Sequence, residues 1–218
     1  PWPPGPCLGL RPPLPGYADI LPADPAREGA PLELETHHPD AARSLGLDTR
    51  TVNHYLDLLV EMFLVRRLQP WHANLGKRLT KSPKLYVRDA GVLHALLGLP
   101  DEEALLGHPA VGASWEGFVL ENLITAAGPH VGAHFYRTSG GAEIDLLLHW
   151  PSGDLWAIEV KRSLSPKVER GFHSACEDLQ PTRKLLVYPG DEPFPLGHGA
   201  QAVPLAALCQ ELALKAQS

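Results

Sequence analysis

Sulfur is scarce in this sequence. Cys7, Cys176 and Cys209 are far apart, odd in number and form no Cys-x-x-Cys pair. That argues against a disulfide framework and for a reduced, cytosolic setting. No apolar run approaches the ~18–20 residues that a membrane helix needs, and the start lacks the basic and apolar regions of a signal peptide. The G-x-x-x-x-G-K-[S/T] phosphate cradle is also missing, so the chain by itself is not expected to hydrolyse ATP.

Acid is absent from one stretch in particular. The 218 residues carry 25 Asp plus Glu against 19 Lys plus Arg, a net charge of −6. Residues 62–88 hold Arg66, Arg67, Lys77, Arg78, Lys81, Lys84 and Arg88 with no acid, hence +7, which leaves −13 for the remainder. A negative total therefore does not exclude a nucleic-acid partner, because phosphate attraction depends on where the cations lie. With 44% hydrophobic and 20% charged residues, the chain can build a core.

Eleven of the 23 prolines fall in residues 1–39, which read as irregular because proline removes backbone donors. Proline as the first residue suggests a fragment or processed product. From residue 40 a short apolar stripe ends at Gly46, and Asp48 can cap a second helix bearing Val52, Tyr55, Leu56, Leu59 and Phe63. Helix, turn, helix, then strands over Phe63–Trp71 and Lys84–Arg88, give a winged-helix-like module over 40–98. Arg50 and Asn53 begin its second helix, where a DNA groove would be read. Asn74, Gly76, Lys77, Arg78 and Lys81 lie in the loop between the strands. Helices are expected over Ala90–Leu97 and Ser114–Ala127, the latter with Ser114 as cap. Strands follow over His134–Thr138, Glu143–Trp150 and Leu155–Arg162, then a helix near 168–179, a strand over Lys184–Tyr188 and a helix over 205–215. The fold class is α/β, and residues 110–215 run helix, three strands, helix, strand, helix.

The chemistry concentrates in Glu143-Ile-Asp145 and, thirteen residues on, Glu159-Val-Lys161. Residues two apart on a strand share a face, so Glu159 and Lys161 project together. A hairpin at Pro151-Ser-Gly-Asp154 would bring Asp145 towards Glu159. Adjacent carboxylates need a cation or a proton between them. Mg²⁺ suits such a site, since it takes hard oxygen ligands and needs only one or two protein carboxylates. Lys161 could hold or help deprotonate an attacking water.

This pattern resembles the PD-(D/E)xK nuclease superfamily, which implies a restriction-endonuclease-like fold, a mixed sheet flanked by helices, over 110–215. The resemblance assigns metal binding to Asp145 and Glu159, water positioning to Lys161, and assistance as a further metal ligand to Glu116 in Trp115-Glu-Gly-Phe-Val. The usual proline before the aspartate is replaced by Ile144. A wider resemblance runs through Phe63-Leu-Val-Arg66, Pro70-Trp71, Asn74-x-x-Lys77-Arg78, Lys81-Ser-Pro-Lys84-x-Tyr86, Trp115-Glu-Gly-Phe-Val and Glu143-Ile-Asp145. Over residues 40–210 the chain is similar to the bacterial and archaeal domain of unknown function 4143, carried behind a AAA+ ATPase module. That implies ATP only through a module outside this chain, and the ATPase module itself as partner.

The expected function is thus a DNA-directed, Mg²⁺-dependent nuclease or nuclease-like domain. Arg50, Asn53, Arg66, Arg67, Lys77, Arg78, Lys81 and Lys84 are the candidate nucleic-acid contacts. The alternative is a non-catalytic module that binds DNA or protein for the ATPase, with Asp145, Glu159 and Lys161 as a structural ion cluster. His37-His38 reads as a solvated pair, since no further metal-ligand spacing accompanies it.

Overall fold

A computed structural model of the chain describes residues 46–72 and 82–217. The proline-rich segment, the stripe before Gly46, and the loop bearing Asn74, Gly76, Lys77, Arg78 and Lys81 lie outside the described residues. One compact unit holds residues 68–72, 82–84 and 119–217, and a second holds 46–67 and 85–118.

Gly46 has φ of 64°, the left-handed conformation that favours glycine. Helix α1 (Thr49–Glu61) then starts as expected at Asp48, whose Oδ1 accepts the Thr51 N–H at 3.0 Å. The expected strand from Phe63 begins only at Val65, because Phe63 has φ of 59° and cannot extend. Strands β1 (Val65–Pro70) and β2 (Lys84–Val87) precede α2 (Ala90–Leu96), capped by Asp89. A short helix absent from the sequence reading, α3 (Glu102–Gly107), is capped by Asp101.

Helix α4 (Val111–Ala127) starts three residues before Ser114. Ser114 is therefore no cap: its N–H donates to the Ala110 carbonyl at 2.8 Å, and it is buried inside the helix. Next come β3 (Gly132–Arg137), β4 (Glu143–His149), β5 (Leu155–Val160), α5 (Arg170–Leu179) and β6 (Arg183–Tyr188). A hairpin that the sequence reading missed, β7 (Phe194–Gly197) and β8 (Ala200–Pro204), leads into α6 (Leu205–Lys215).

The strands form one mixed eight-stranded sheet in the order β2-β1-β3-β4-β5-β6-β8-β7. β4 and β5 pair antiparallel across the Pro151 turn, with Leu148 opposite Trp156 and Leu146 opposite Ile158. β5 and β6 run parallel, joined through α5. The middle strands are buried almost continuously, as expected where helices cover both faces. On one face Phe172, Ala175 and Cys176 of α5 pack with Leu147, Ala157 and Leu186. α6 packs against β6 and β8. Among the described residues no helix is long and apolar enough to cross a membrane.

Candidate functional site

Glu143 and Asp145 open β4, while Glu159 is the penultimate residue of β5 and Lys161 follows the strand. The β4–β5 ladder ends at Leu146 opposite Ile158, so Asp145 and Glu159 come directly after it on neighbouring strands. Asp145 is fastened there: its Oδ2 accepts the backbone N–H of Val160 at 2.9 Å. Lys161 is fixed by the parallel neighbour, its own N–H donating to the Val187 carbonyl at 2.8 Å. The strand pairings thus bring the expected aspartate and the Glu-x-Lys segment together. The site lies at the carboxyl end of parallel strands β5 and β6, the edge at which open α/β sheets place ligands.

Glu159 is 7% exposed, and its Oε2 has no hydrogen-bond partner among the described residues. Its Oε1 lies 3.0 Å from Lys161 Nζ. Burial, reinforced by the charges of Glu143 and Glu169, raises the Glu159 pKa despite that lysine. Lys161 Nζ also donates to Glu169 Oε1 at 2.7 Å. Burial disfavours its charge, yet Glu159 and Glu169 outweigh burial and raise its pKa above the ordinary lysine value. Lys161 is thereby held as an ammonium.

A second cation enters the cluster. Lys84, at the start of β2, is 7% exposed, with Nζ 3.4 Å from Glu143 Oε1 and 3.9 Å from Asp145 Oδ1. Arg137 Nε lies 3.5 Å from Glu143 Oε2. Lys84 is therefore not displayed on an open phosphate-gripping surface, as the basic stretch suggested; it is packed among carboxylates. Glu169 and Arg137 were also missed, having no motif spacing to mark them. Among the described residues no group of three or more His, Cys, Asp or Glu side chains is placed to hold a metal ion.

The remaining candidates belong to the second unit or lie outside the described residues. Glu116, in the second unit, accepts a hydrogen bond from the Tyr86 hydroxyl at 2.7 Å. Arg67 Nη1 donates to Asp57 on α1 at 2.8 Å, so Arg67 serves an ion pair within that unit. Arg50 is exposed in the first turn of α1, Asn53 is half-buried one turn on, and Arg66 is half-buried on β1. Lys77, Arg78 and Lys81 lie outside the described residues.

Residues 111–208 match the domain of unknown function DUF4143. Glu143, Asp145, Glu159, Lys161 and Glu169 all belong to this DUF4143 segment, whereas residues 35–103, with Lys84, match a second domain of unknown function, DUF8612. The ionic cluster thus combines side chains from both matched segments. Two curated relatives, uncharacterized proteins of Mycobacterium bovis and Mycobacterium tuberculosis, are each 46% identical to this chain over 165 residues. That alignment covers 76% of this chain and 37% of each relative, so the chain spans just over a third of their length. No solved structure matches.

Proposed function

We propose that the DUF4143 segment is a nuclease-like domain that cleaves phosphodiester bonds of DNA with Mg²⁺, within a AAA+ ATPase-family protein of the prokaryotic cytoplasm. The carrying observation is the attachment of Asp145 to Val160, the residue between Glu159 and Lys161. It holds a carboxylate beside the Glu-x-Lys segment, as PD-(D/E)xK chemistry needs. In this reading the sheet is a restriction-endonuclease-like core, and residues 40–98 form a winged-helix-like module that contributes Arg50 and Asn53 to DNA contact.

The donor chemistry of the two carboxylates suits the ion. Glu159 keeps a buried oxygen with no hydrogen-bond partner among the described residues, and a hard-oxygen pair of carboxylates meets the protein share of a Mg²⁺ shell. Asp145 and Glu159 would hold it, and it would supply Lewis-acid stabilisation of a phosphoryl oxygen. Lys161 stays protonated, so it orients water and offsets negative charge rather than removing a proton. Glu169 aims that ammonium, and Glu116 is the assisting carboxylate that the family pattern suggests.

The second reading is a non-catalytic module for the ATPase. It draws on Lys84, which already compensates Glu143 and Asp145 as a structural ion pair does. Incubating the protein with single-stranded, duplex and branched DNA, with and without Mg²⁺, separates the two. Mg²⁺-dependent cleavage that disappears in Asp145→Ala and Lys161→Ala supports the nuclease. Equal products from wild type and variants, or salt-sensitive binding without turnover, favour the binding module.

A further inference from the structure

Lys84 reaches the carboxylates from far along the chain, 59 residues before Glu143. Its ammonium lies over the Phe135 ring, 5.4 Å from the centroid, as well as against Glu143 and Asp145. A lysine so buried has exchanged most of its water for these partners, and its charge depends on them. The dependence is mutual, because the ammonium offsets the repulsion between Glu143 and Asp145. Compensation is uneven across the cluster. Lys84 and Arg137 serve the β4 carboxylates, Lys161 covers one oxygen of Glu159, and Glu159 Oε2 has no hydrogen-bond partner among the described residues.

An ammonium and a divalent cation compete for the same carboxylate oxygens. We infer that Lys84 is the resident counter-ion of the Glu143–Asp145 pair and couples divalent-cation binding to phosphodiester binding. With a cation bound, the Lys84 ammonium would leave Asp145 and donate a charge-assisted hydrogen bond to a phosphodiester oxygen. Each ligand thereby lowers the cost of binding the other, and such coupling is reciprocal. Lys84 is a substrate-binding residue in this scheme, which rests on the metal-dependent reading above. The coupling differs from that reading in assigning work to a lysine outside the Glu-x-Lys segment.

Mn²⁺ binding to the 218-residue chain, followed by electron paramagnetic resonance of the unbound ion, tests the coupling. The measurement is made with and without a phosphorothioate oligonucleotide that resists cleavage. Without DNA, Lys84→Met and Lys84→Gln are expected to bind Mn²⁺ about ten-fold more tightly than wild type, within the usual range of site coupling. Wild type tightens when the oligonucleotide is added, and both variants lose that response. A larger Mn²⁺-induced rise in Tm for the variants checks the same competition on folded protein. Should Lys84→Met not fold, Lys84→Gln, which keeps a neutral donor, decides the outcome.

Equal Mn²⁺ affinity in wild type and variants, with binding lost in Asp145→Asn, overturns the coupling and leaves the metal site standing. DNA-induced tightening that persists without Lys84 does the same. Mn²⁺ binding that survives Asp145→Asn, or is absent from every chain, overturns the metal site and the coupling together.

Discussion

The carboxylate of Asp145 accepts the backbone N–H of Val160 at 2.9 Å, and Val160 stands between Glu159 and Lys161. This contact separates the structural role of Asp145 from its charge. Asparagine can still accept that N–H, whereas alanine leaves it without its partner. Asp145→Ala is therefore expected to lose about 1–3 kcal/mol of stability, the cost of a stranded buried donor. Asp145→Asn should melt closer to wild type while losing any metal-dependent activity. Thermal melts of the two variants check the difference.

Glu159 supplies a pH test. Its raised folded pKa means that the native state binds more protons than the unfolded chain between the ordinary carboxylate value and the folded one. Stability from this group falls as pH rises through that window and returns as pH falls. Glu159→Gln removes the desolvated charge, so its Tm should exceed that of wild type at neutral pH. The gain should shrink on acidification; a gain independent of pH would contradict the assignment.

Tyr136 makes the corresponding alkaline prediction. Burial and the hydrogen bond to Asp178 Oδ2 (3.0 Å) raise its pKa from 10.0 to about 12. The unfolded chain loses this proton first, so stability should fall above pH 10.0 and level off beyond about 12. Tyr136→Phe should lose about 0.5–1.5 kcal/mol near neutrality through the missing bond, and should flatten the alkaline slope. Denaturant melts across the pH range measure both effects.

Two glycines are expected to respond in opposite directions to alanine. A Cβ on Gly171 of α5 would meet the Gly141 carbonyl oxygen at 2.7 Å, so Gly171→Ala forces helix and turn apart. Overpacking of this kind costs about 1–3 kcal/mol. Gly112, exposed within α4, has nothing within 4 Å of such a Cβ. Gly112→Ala should stabilise by about 0.5–1 kcal/mol through helix propensity. Chemical denaturation of both variants checks the signs.

For DNA contact, Arg50 and Arg67 should behave differently. Arg50 is exposed at the start of α1, whereas Arg67 is paired with Asp57. Arg50→Ala is expected to lower the salt dependence of DNA binding by about one unit of log–log slope, the loss of one phosphate contact. Arg67→Ala should leave that slope nearly unchanged and lower Tm instead. Equal slopes for wild type and Arg50→Ala would remove α1 from the DNA interface.

Legibility in the sequence followed the range of the interactions. Asp48 caps α1 through a residue three positions away, and Pro151-Ser-Gly-Asp154 joins two alternating strands, so both are local features. The pairing of Asp145 with the Glu159–Lys161 strand followed from those strands and one short turn. Helix α3 gave too little periodicity to detect, being six residues long. β7 contains Pro195 and Gly197, which weaken a strand pattern but are tolerated at a sheet edge.

By itself, then, the sequence determined the order of the central strands and the carboxylates and lysine they carry, because side-chain alternation and turn chemistry act over a few residues. Only the tertiary structure decided how those charges are compensated. Lys84 belongs to the basic stretch that reads as a nucleic-acid contact, yet the fold buries it against Glu143 and Asp145, although it precedes Glu143 by 59 residues. Glu169, in the connection before α5, was brought to Lys161 by the path of the chain. Such ion pairs depend on distances of a few ångströms between remote segments, and no spacing along the sequence encodes them.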